Sequence, residues 1–442
     1  MNYRKLIFRI SSGLSFLSLA AFLIFIILKN YSFTGPLLTS FFIFLAIGCQ
    51  VSDKLKKFAY TVWIFAAVTV SMTYPHLFRQ IGDFNLQRMI VPLLQIIMFG
   101  MGSQLSVKNF ANVIKMPQGV FVGIICQFTI MPIIGFTIAK TFGFPAEIAA
   151  GIILIGSSPS GLASNVMSFI AKANLALSVT LTAIATLLAP LVTPALMKLL
   201  AGQFVPVDFW DMMLDIINIV ILPVVAGLIF HAIGYGTSTT KSILIQAFSY
   251  IAVIGLKNLI SFYTQSIPSE ELLYVFLKDI AWFSFLPIIG ALLFKHLAKG
   301  RKEWLDKAMS LISMFGIGII ITIITAAGRD SLLTIGLILI FACLIHNMAG
   351  YFLGYWLCRF IRMDEQSCRT IALEVGMQNG GLASGIALEM GKVTTVGLAP
   401  AVFGPMMNIT GSSLATWWRG KGEGVKGRKG EGEMEGGRKS KK

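Results

Sequence analysis

Charge is what this sequence has least of. Only 13% of its 442 residues are Asp, Glu, Lys or Arg, against roughly 25% in an average soluble domain. So few charges cannot cover a water-facing surface, and a soluble globular chain is excluded. Cysteine is scarce and unclustered: Cys49, Cys126, Cys343, Cys358 and Cys368 lie in or beside apolar runs and form no Cys-x-x-Cys pair. Neither a disulfide framework nor a metal-binding spacing follows. The four histidines, His76, His231, His296 and His346, are scattered, so zinc and haem have no support. With no His/Asp/Ser nucleophile cluster and no glycine-rich loop to cradle a phosphate, an enzyme is not expected.

What remains is apolar. Hydrophobic residues make up 56% of the chain and the mean hydropathy is +0.79. Apolar runs of about 20 residues predict membrane-spanning helices, and the chain reads as an all-α polytopic membrane protein of about fourteen spans. They fall near 6–28, 36–50, 58–78, 86–106, 118–141, 146–172 and 175–200, then 210–233, 242–264, 272–297, 304–327, 332–360, 365–390 and 396–418. The run at 36–50 is short enough to be re-entrant or tilted. Arg4, Lys5 and Arg9 precede an apolar stretch that reaches Leu28 without a small-residue cleavage pattern, so it reads as a retained helix rather than a signal peptide.

The formal charge of +16 comes from 36 Lys and Arg against 20 Asp and Glu. With a cytoplasmic N-terminus, most of the basic residues fall on the cytoplasmic side. They include Lys54, Lys56 and Lys57, Lys108 and Lys115, and the stretch 295–307. The outer loops at 208–215 and 269–271 are more acidic. This asymmetry follows the positive-inside rule and sets topology; it does not indicate nucleic acid. The expected place is the cell's inner (plasma) membrane, multi-pass, with both termini cytoplasmic. From 419 to 442 the chain turns to Gly, Lys, Arg and Glu without apolar period, a composition that predicts a disordered basic tail.

Two apolar segments are broken by glycine and polar residues. One reads GIILIGSSPSGLASN over 151–165, the other EVGMQNGGLASG over 374–385. Unpaired backbone is not tolerated in hydrocarbon, so each break predicts a discontinuous helix lining a wet cavity. Gly161-Leu162-Ala163-Ser164 recurs as Gly381-Leu382-Ala383-Ser384, and each copy precedes a span with paired prolines, Pro190 and Pro194 or Pro400 and Pro405. Paired interruptions in the two halves of a chain point to the binding site of a secondary transporter. By the span count the first broken segment runs inward and the second outward.

The breaks carry the polar chemistry. Ser178 and Thr182 are four apart and share one face of the helix after the first break. With Ser164 and Asn165 they can offer neutral oxygens to a cation. Glu374 puts a carboxylate at membrane depth, where it is costly unless it has a partner, and Gln378 lies four residues on. Carboxylate, amide and unwound carbonyls are oxygen ligands of the kind that replace the water of a hard monovalent ion. Ser and Thr in membrane helices also commonly bond their own backbone, and Gln127, a lone amide in an apolar helix, can simply bridge helices. Lys257-Asn258 and His346-Asn347 interrupt two further spans. Lys257 is expected to snorkel or to face the protein interior, and His346 to make an interhelical hydrogen bond.

At these residues the chain closely resembles the bile acid:sodium symporter family. The resemblance rests on GLASNVMSFIAKANLALSVTLTAIATLLAPLVTP (161–194), IALEVGMQNGGLA (371–383) and LLQIIMFGMG (93–102), with weaker similarity over most of 58–233 and 304–418. It implies ten helices in two inverted five-helix repeats, forming a panel and a core domain in which two broken helices cross. On this chain the repeats would be 58–200 and 201–418. Two hairpins lie outside that plan, one within 1–57 and one at about 242–297. The resemblance also implies two sodium sites. One would use Ser164, Asn165, Ser178, Thr182 and Glu374. The other would use Gln127, Glu374, Gln378 and the backbone carbonyls of Val375 and Met377. Two departures stand near the first break. Leu162 replaces a threonine found in many bacterial members, and Ser157-Ser158-Pro159-Ser160 replaces Cys-Cys-Pro-Gly.

The expected function is sodium-coupled import of an organic anion by alternating access, the anion being a bile-acid-like steroid or a small carboxylate or keto acid. Helix N-termini at the breaks carry partial positive charge that favours an anion. Ser160, Gly161, Asn165, Asn379 and Gly380 are the candidate substrate residues. The alternative is a proton- or cation-coupled antiporter of similar fold in which Glu374 carries the proton.

Overall fold

Hydrocarbon offers no partner to a backbone amide, so long apolar runs are expected to close their own hydrogen bonds as helices. The computed structural model, which describes residues 3–53, 55–105, 115–235, 240–264, 268, 270–297 and 302–439, is all-helical apart from one short hairpin, Gln80–Ile81 paired with Phe84–Asn85, and one isolated bridge described below. The first helices are α1 (Tyr3–Ile27), α2 (Tyr31–Val51), α3 (Ala59–Thr73), α4 (Leu86–Gln104) and α5 (Pro117–Phe142). Then follow α6 (Ala146–Ser157), α7 (Leu162–Ile170), α8 (Leu175–Ala201), α9 (Phe209–Gly234), α10 (Thr240–Tyr263) and α11 (Leu272–His296). The last are α12 (Lys302–Ala327), α13 (Arg329–Phe360), α14 (Glu365–Gly376), α15 (Gly380–Glu389) and α16 (Leu398–Lys439).

Among the described residues nine helices are long and apolar enough to cross a membrane, which makes this a polytopic membrane protein. They are α1, α2, α4, α5, α8, α9, α11, α12 and α13. Two segments differ from the expected lengths. Tyr31–Val51 runs unbroken for 21 residues, long enough to span, so the re-entrant reading of 36–50 is not needed. In contrast, α3 has 15 residues, short of the roughly 20 a perpendicular span requires. The tail from 419, expected to be disordered, continues the helix α16 to Lys439. Lys54, Lys108, Ser269 and part of the basic stretch 295–307 lie outside the described residues.

Packing separates the helices into two groups. In one, α4 packs on α9 and α12, and α3 packs on α12. Gly102 on α4 and Gly227 on α9 make that contact backbone to backbone: a Cβ at Gly102 would run into the Val224 carbonyl, and one at Gly227 into the Phe99 carbonyl. Small residues serve helix association in lipid for this reason. In the other group, α5, α6, α8, α13, α14 and α16 pack around the two breaks. Two helical hairpins attach to the first group. The pair α1 and α2 sits against α3. The α10–α11 hairpin covers α9 through Leu222, Phe230, Tyr250, Ile254 and Phe283. Inside that hairpin Lys257 faces the protein interior and pairs with Asp279 at 2.6 Å.

Candidate functional site

Each break follows from local sequence. Helix α6 ends at Ser157 because Pro159 has no amide to donate and forces the residue before it out of the helical region; Ser158 is extended, at φ −79° and ψ 152°. Helix α14 ends at Gly376, after which Met377 is extended, at φ −111° and ψ 97°. Gly376 is required there, since the Tyr351 ring occupies the space of a Cβ. Asn379 then restarts the chain as α15 by accepting from the Leu382 amide at 3.0 Å, an N-cap that satisfies one of the otherwise unpaired first-turn donors.

The two unwound stretches meet and pair with each other. Ser160 and Gln378 form an antiparallel bridge. The Gly161 amide donates to the Met377 carbonyl at 3.2 Å, and the Asn379 amide to the Pro159 carbonyl at 2.8 Å. Neighbouring side chains take the other freed carbonyls. Thr193 of α8 donates to Ser157 O at 2.8 Å, Gln127 of α5 to Ser158 O at 3.0 Å, and Asn347 of α13 to Gly376 O at 2.7 Å. The crossing is therefore non-helical without leaving these carbonyls bare, as membrane depth demands.

Glu374 sits on the last turn of α14 and is 2% exposed. Its Oε1 accepts from Ser164 at 2.7 Å and Ser178 at 2.5 Å; its Oε2 accepts from Ser160 at 2.5 Å and Thr182 at 2.9 Å. The Asn165 Oδ1 lies 2.8 Å from Ser178 Oγ and 3.3 Å from Thr182 Oγ1. Among the described residues no Lys or Arg joins this cluster. A hydroxyl carries one proton, yet Ser164, Ser178 and Thr182 each stand within hydrogen-bond reach of more than one acceptor. The cluster is thus richer in oxygen lone pairs than in protons. A cation entering between these atoms fits the donor set, because it needs oxygens and brings the positive charge that the carboxylate lacks.

A second polar group adjoins the first. Gln127 Nε2 donates to Gln378 Oε1 at 2.7 Å, and Gln378 Nε2 donates to the Val375 carbonyl at 2.5 Å. Gln127 Oε1 is buried without a hydrogen-bond partner among the described residues. An orphaned buried amide oxygen is costly, and it fits the oxygen donors that the resemblance assigns to a second ion. Met377 contributes its carbonyl to the bridge and retains a lone pair.

The candidate ion and substrate residues all lie at or beside this crossing, but not in equal roles. Ser160 was a candidate for substrate; its hydroxyl instead points to Glu374 and the residue is 1% exposed. Gly161 spends its amide on the bridge, and Asn379 is 7% exposed as the cap of α15. Asn165 and Gly380 are only partly buried. Sequence reasoning overlooked Thr193 and Asn347 as supports of the freed carbonyls. For Asn347 the signal was the polar His346-Asn347 step in an apolar run. His346 makes the expected interhelical bond, to the Met131 carbonyl at 2.8 Å.

Comparison with known proteins identifies the family. The profile of the Sodium Bile acid symporter family matches residues 91–266. A sodium-dependent transporter of Bacillus subtilis (strain 168), YocS, is 33% identical over 376 residues, covering 84% of this chain and 95% of that protein. The sodium/metabolite cotransporter BASS2, chloroplastic, of Oryza sativa subsp. japonica is 31% identical over 329 residues, 74% of this chain and 63% of that protein. The corresponding BASS1 of Arabidopsis thaliana is 28% identical over 361 residues, 82% and 73% of the two chains. These relatives are named as transporters, not enzymes. With a third of the aligned residues identical along nearly the whole of a sodium-dependent transporter, and an oxygen-lined crossing of two broken helices at its centre, the chain belongs to the sodium bile acid symporter family.

Proposed function

We propose that this protein is a sodium-coupled symporter that imports an organic anion, and that two sodium ions bind at the crossing. The observation that carries the reading is Glu374: a carboxylate without a cationic partner, surrounded by Ser160, Ser164, Ser178 and Thr182. One sodium would be held by Ser164, Asn165, Ser178, Thr182 and Glu374. The second would be held by Gln127, Glu374, Gln378 and the Val375 and Met377 carbonyls. On entry of the ions the hydroxyl protons rotate away and their oxygens turn inward. The carboxylate charge is then neutralised and the crossing is fixed.

The anion would bind beside the crossing, near Asn165 and Gly380, where the N-termini of α7 and α15 supply partial positive charge. A carboxylate or sulfonate suits that polarity, and both a steroid acid and a small keto acid carry one. The antiparallel bridge between the breaks supports two inverted five-helix repeats. The two packing groups support a panel and a core that move against each other. Fourteen crossings, the inner (plasma) membrane and cytoplasmic termini complete the proposal.

Thermal unfolding of the purified protein in sodium against potassium, over a panel of bile acids and small carboxylates, tests ion and substrate together. A ligand that binds only the folded state raises the midpoint. Sodium is expected to stabilise, and the cognate anion to stabilise further only with sodium present. Reconstituted uptake of that anion should then follow a sodium gradient at fixed pH. Uptake that follows a pH gradient without sodium would replace this reading with the antiporter.

A further inference from the structure

Away from the crossing, α2, α3, α4 and α12 enclose a cavity of about 870 Å³, within the size range of small-molecule sites. Tyr60, Trp63, Ala67 and Val70 line it from α3, and Leu311, Phe315, Gly318 and Thr322 from α12. None of its walls comes from the elements that carry the ion cluster. We propose that this cavity holds one acyl chain of an anionic membrane phospholipid, with the headgroup at Lys56.

Three observations select that occupant. The first is polarity. The few polar groups of the wall are already engaged with the protein: Tyr60 donates to the Met314 carbonyl at 3.0 Å, Trp63 to Gln50 at 3.2 Å, and Thr322 to the Gly318 carbonyl at 2.7 Å. What faces the space is hydrocarbon, so the guest must be hydrocarbon too. The second is depth. From Leu311 to Ile323 the α12 wall rises about 18 Å at 1.5 Å per residue, close to the roughly 15 Å of one leaflet's hydrocarbon. The third is charge. Lys56, just ahead of α3, lines the cavity and is exposed, with no ion pair among the described residues. It belongs to a run with Lys54 and Lys57. A cation at the headgroup level of an acyl-sized groove selects an anionic head, as basic clusters beside membrane helices do.

The experiment compares dioleoyl phosphatidylglycerol with dioleoyl phosphatidylcholine, added in detergent to the full-length protein. Binding is read by native mass spectrometry and thermal unfolding. The wild type is expected to retain and be stabilised by the glycerol lipid in preference. Lys56→Gln should keep acyl binding but lose the headgroup preference. Gly318→Leu should lose both, because a side chain there meets nothing within 4 Å and projects into open space. Should Gly318→Leu fail to fold, Ala67→Leu fills the same groove from α3. The sodium-induced shift should be unchanged in all three variants, since none touches the crossing. An unaltered lipid preference in Lys56→Gln, or undiminished lipid retention in both filled-groove variants, would overturn the assignment.

Discussion

Gln127 and Gln378 meet at 2.7 Å although 251 residues separate them, and the pairing leaves Gln127 Oε1 buried without a partner. A bridge made only to join helices would satisfy both ends of the amide. The orphaned oxygen is free to serve the second proposed ion. Gln127→Leu removes it while keeping an apolar helix face. Sodium activation of uptake should fall from a two-ion to a one-ion dependence, with the apparent affinity weakened by about tenfold, or about 1.4 kcal/mol. An unchanged sodium curve would reduce Gln127 to a helix bridge.

Glu374→Gln keeps the shape of the side chain and removes the charge that both proposed sites share. The variant should fold, because an amide in place of an unpaired buried carboxylate is easier to bury. Sodium should no longer raise its unfolding midpoint, and calorimetry at a pH where carboxylates are ionised should detect no sodium binding. Undiminished affinity would remove Glu374 from the site.

Ser160 donates to Glu374 Oε2 from a position where the family pattern has glycine. Ser160→Ala should weaken sodium affinity by up to about tenfold, the size of one charge-assisted hydrogen bond at the lower end of its range. The unfolding midpoint in potassium should move little. The opposite pattern, lost stability with unchanged sodium affinity, would make Ser160 a structural residue.

Asn347 holds the Gly376 carbonyl with its amide and accepts from Thr410 at 2.6 Å. Asn347→Leu leaves the buried Gly376 carbonyl unpaired, while Thr410 keeps its bonds to the Met406 and Met407 carbonyls, and should cost about 1–3 kcal/mol of stability. The sodium dependence should keep its shape, because Asn347 supports the break without facing the ions. Denaturation with and without sodium separates the two effects.

Lys257 and Asp279, 2.6 Å apart and buried inside the inserted hairpin, neutralise each other. Removing one partner strands the other, so Lys257→Met or Asp279→Leu alone should cost about 3–5 kcal/mol. The double variant should recover most of that loss. Stability no better in the double than in the worse single variant would mean that the pair is not the interaction that matters.

The sequence by itself determined that the chain is a helical membrane protein, where its helices are broken, and which residues carry oxygen to the breaks. These are local properties: apolar run length sets a span, while Pro159 and Gly376 stop a helix where they stand. Charge asymmetry was likewise readable, because it depends on composition beside each run. Only the tertiary structure decided what the oxygens do to one another. Ser160 looked like a residue for substrate until the bridge to Gln378 turned its hydroxyl onto Glu374. Asn347 reads in the sequence only as a polar interruption and Thr193 carries no signal of its own, yet both hold carbonyls freed at the breaks. Lys257 had no visible counter-ion until α11 brought Asp279 against it. Each of these depends on chain segments remote in sequence coming within 3 Å, and no periodicity or spacing along one strand of sequence encodes which remote group will arrive.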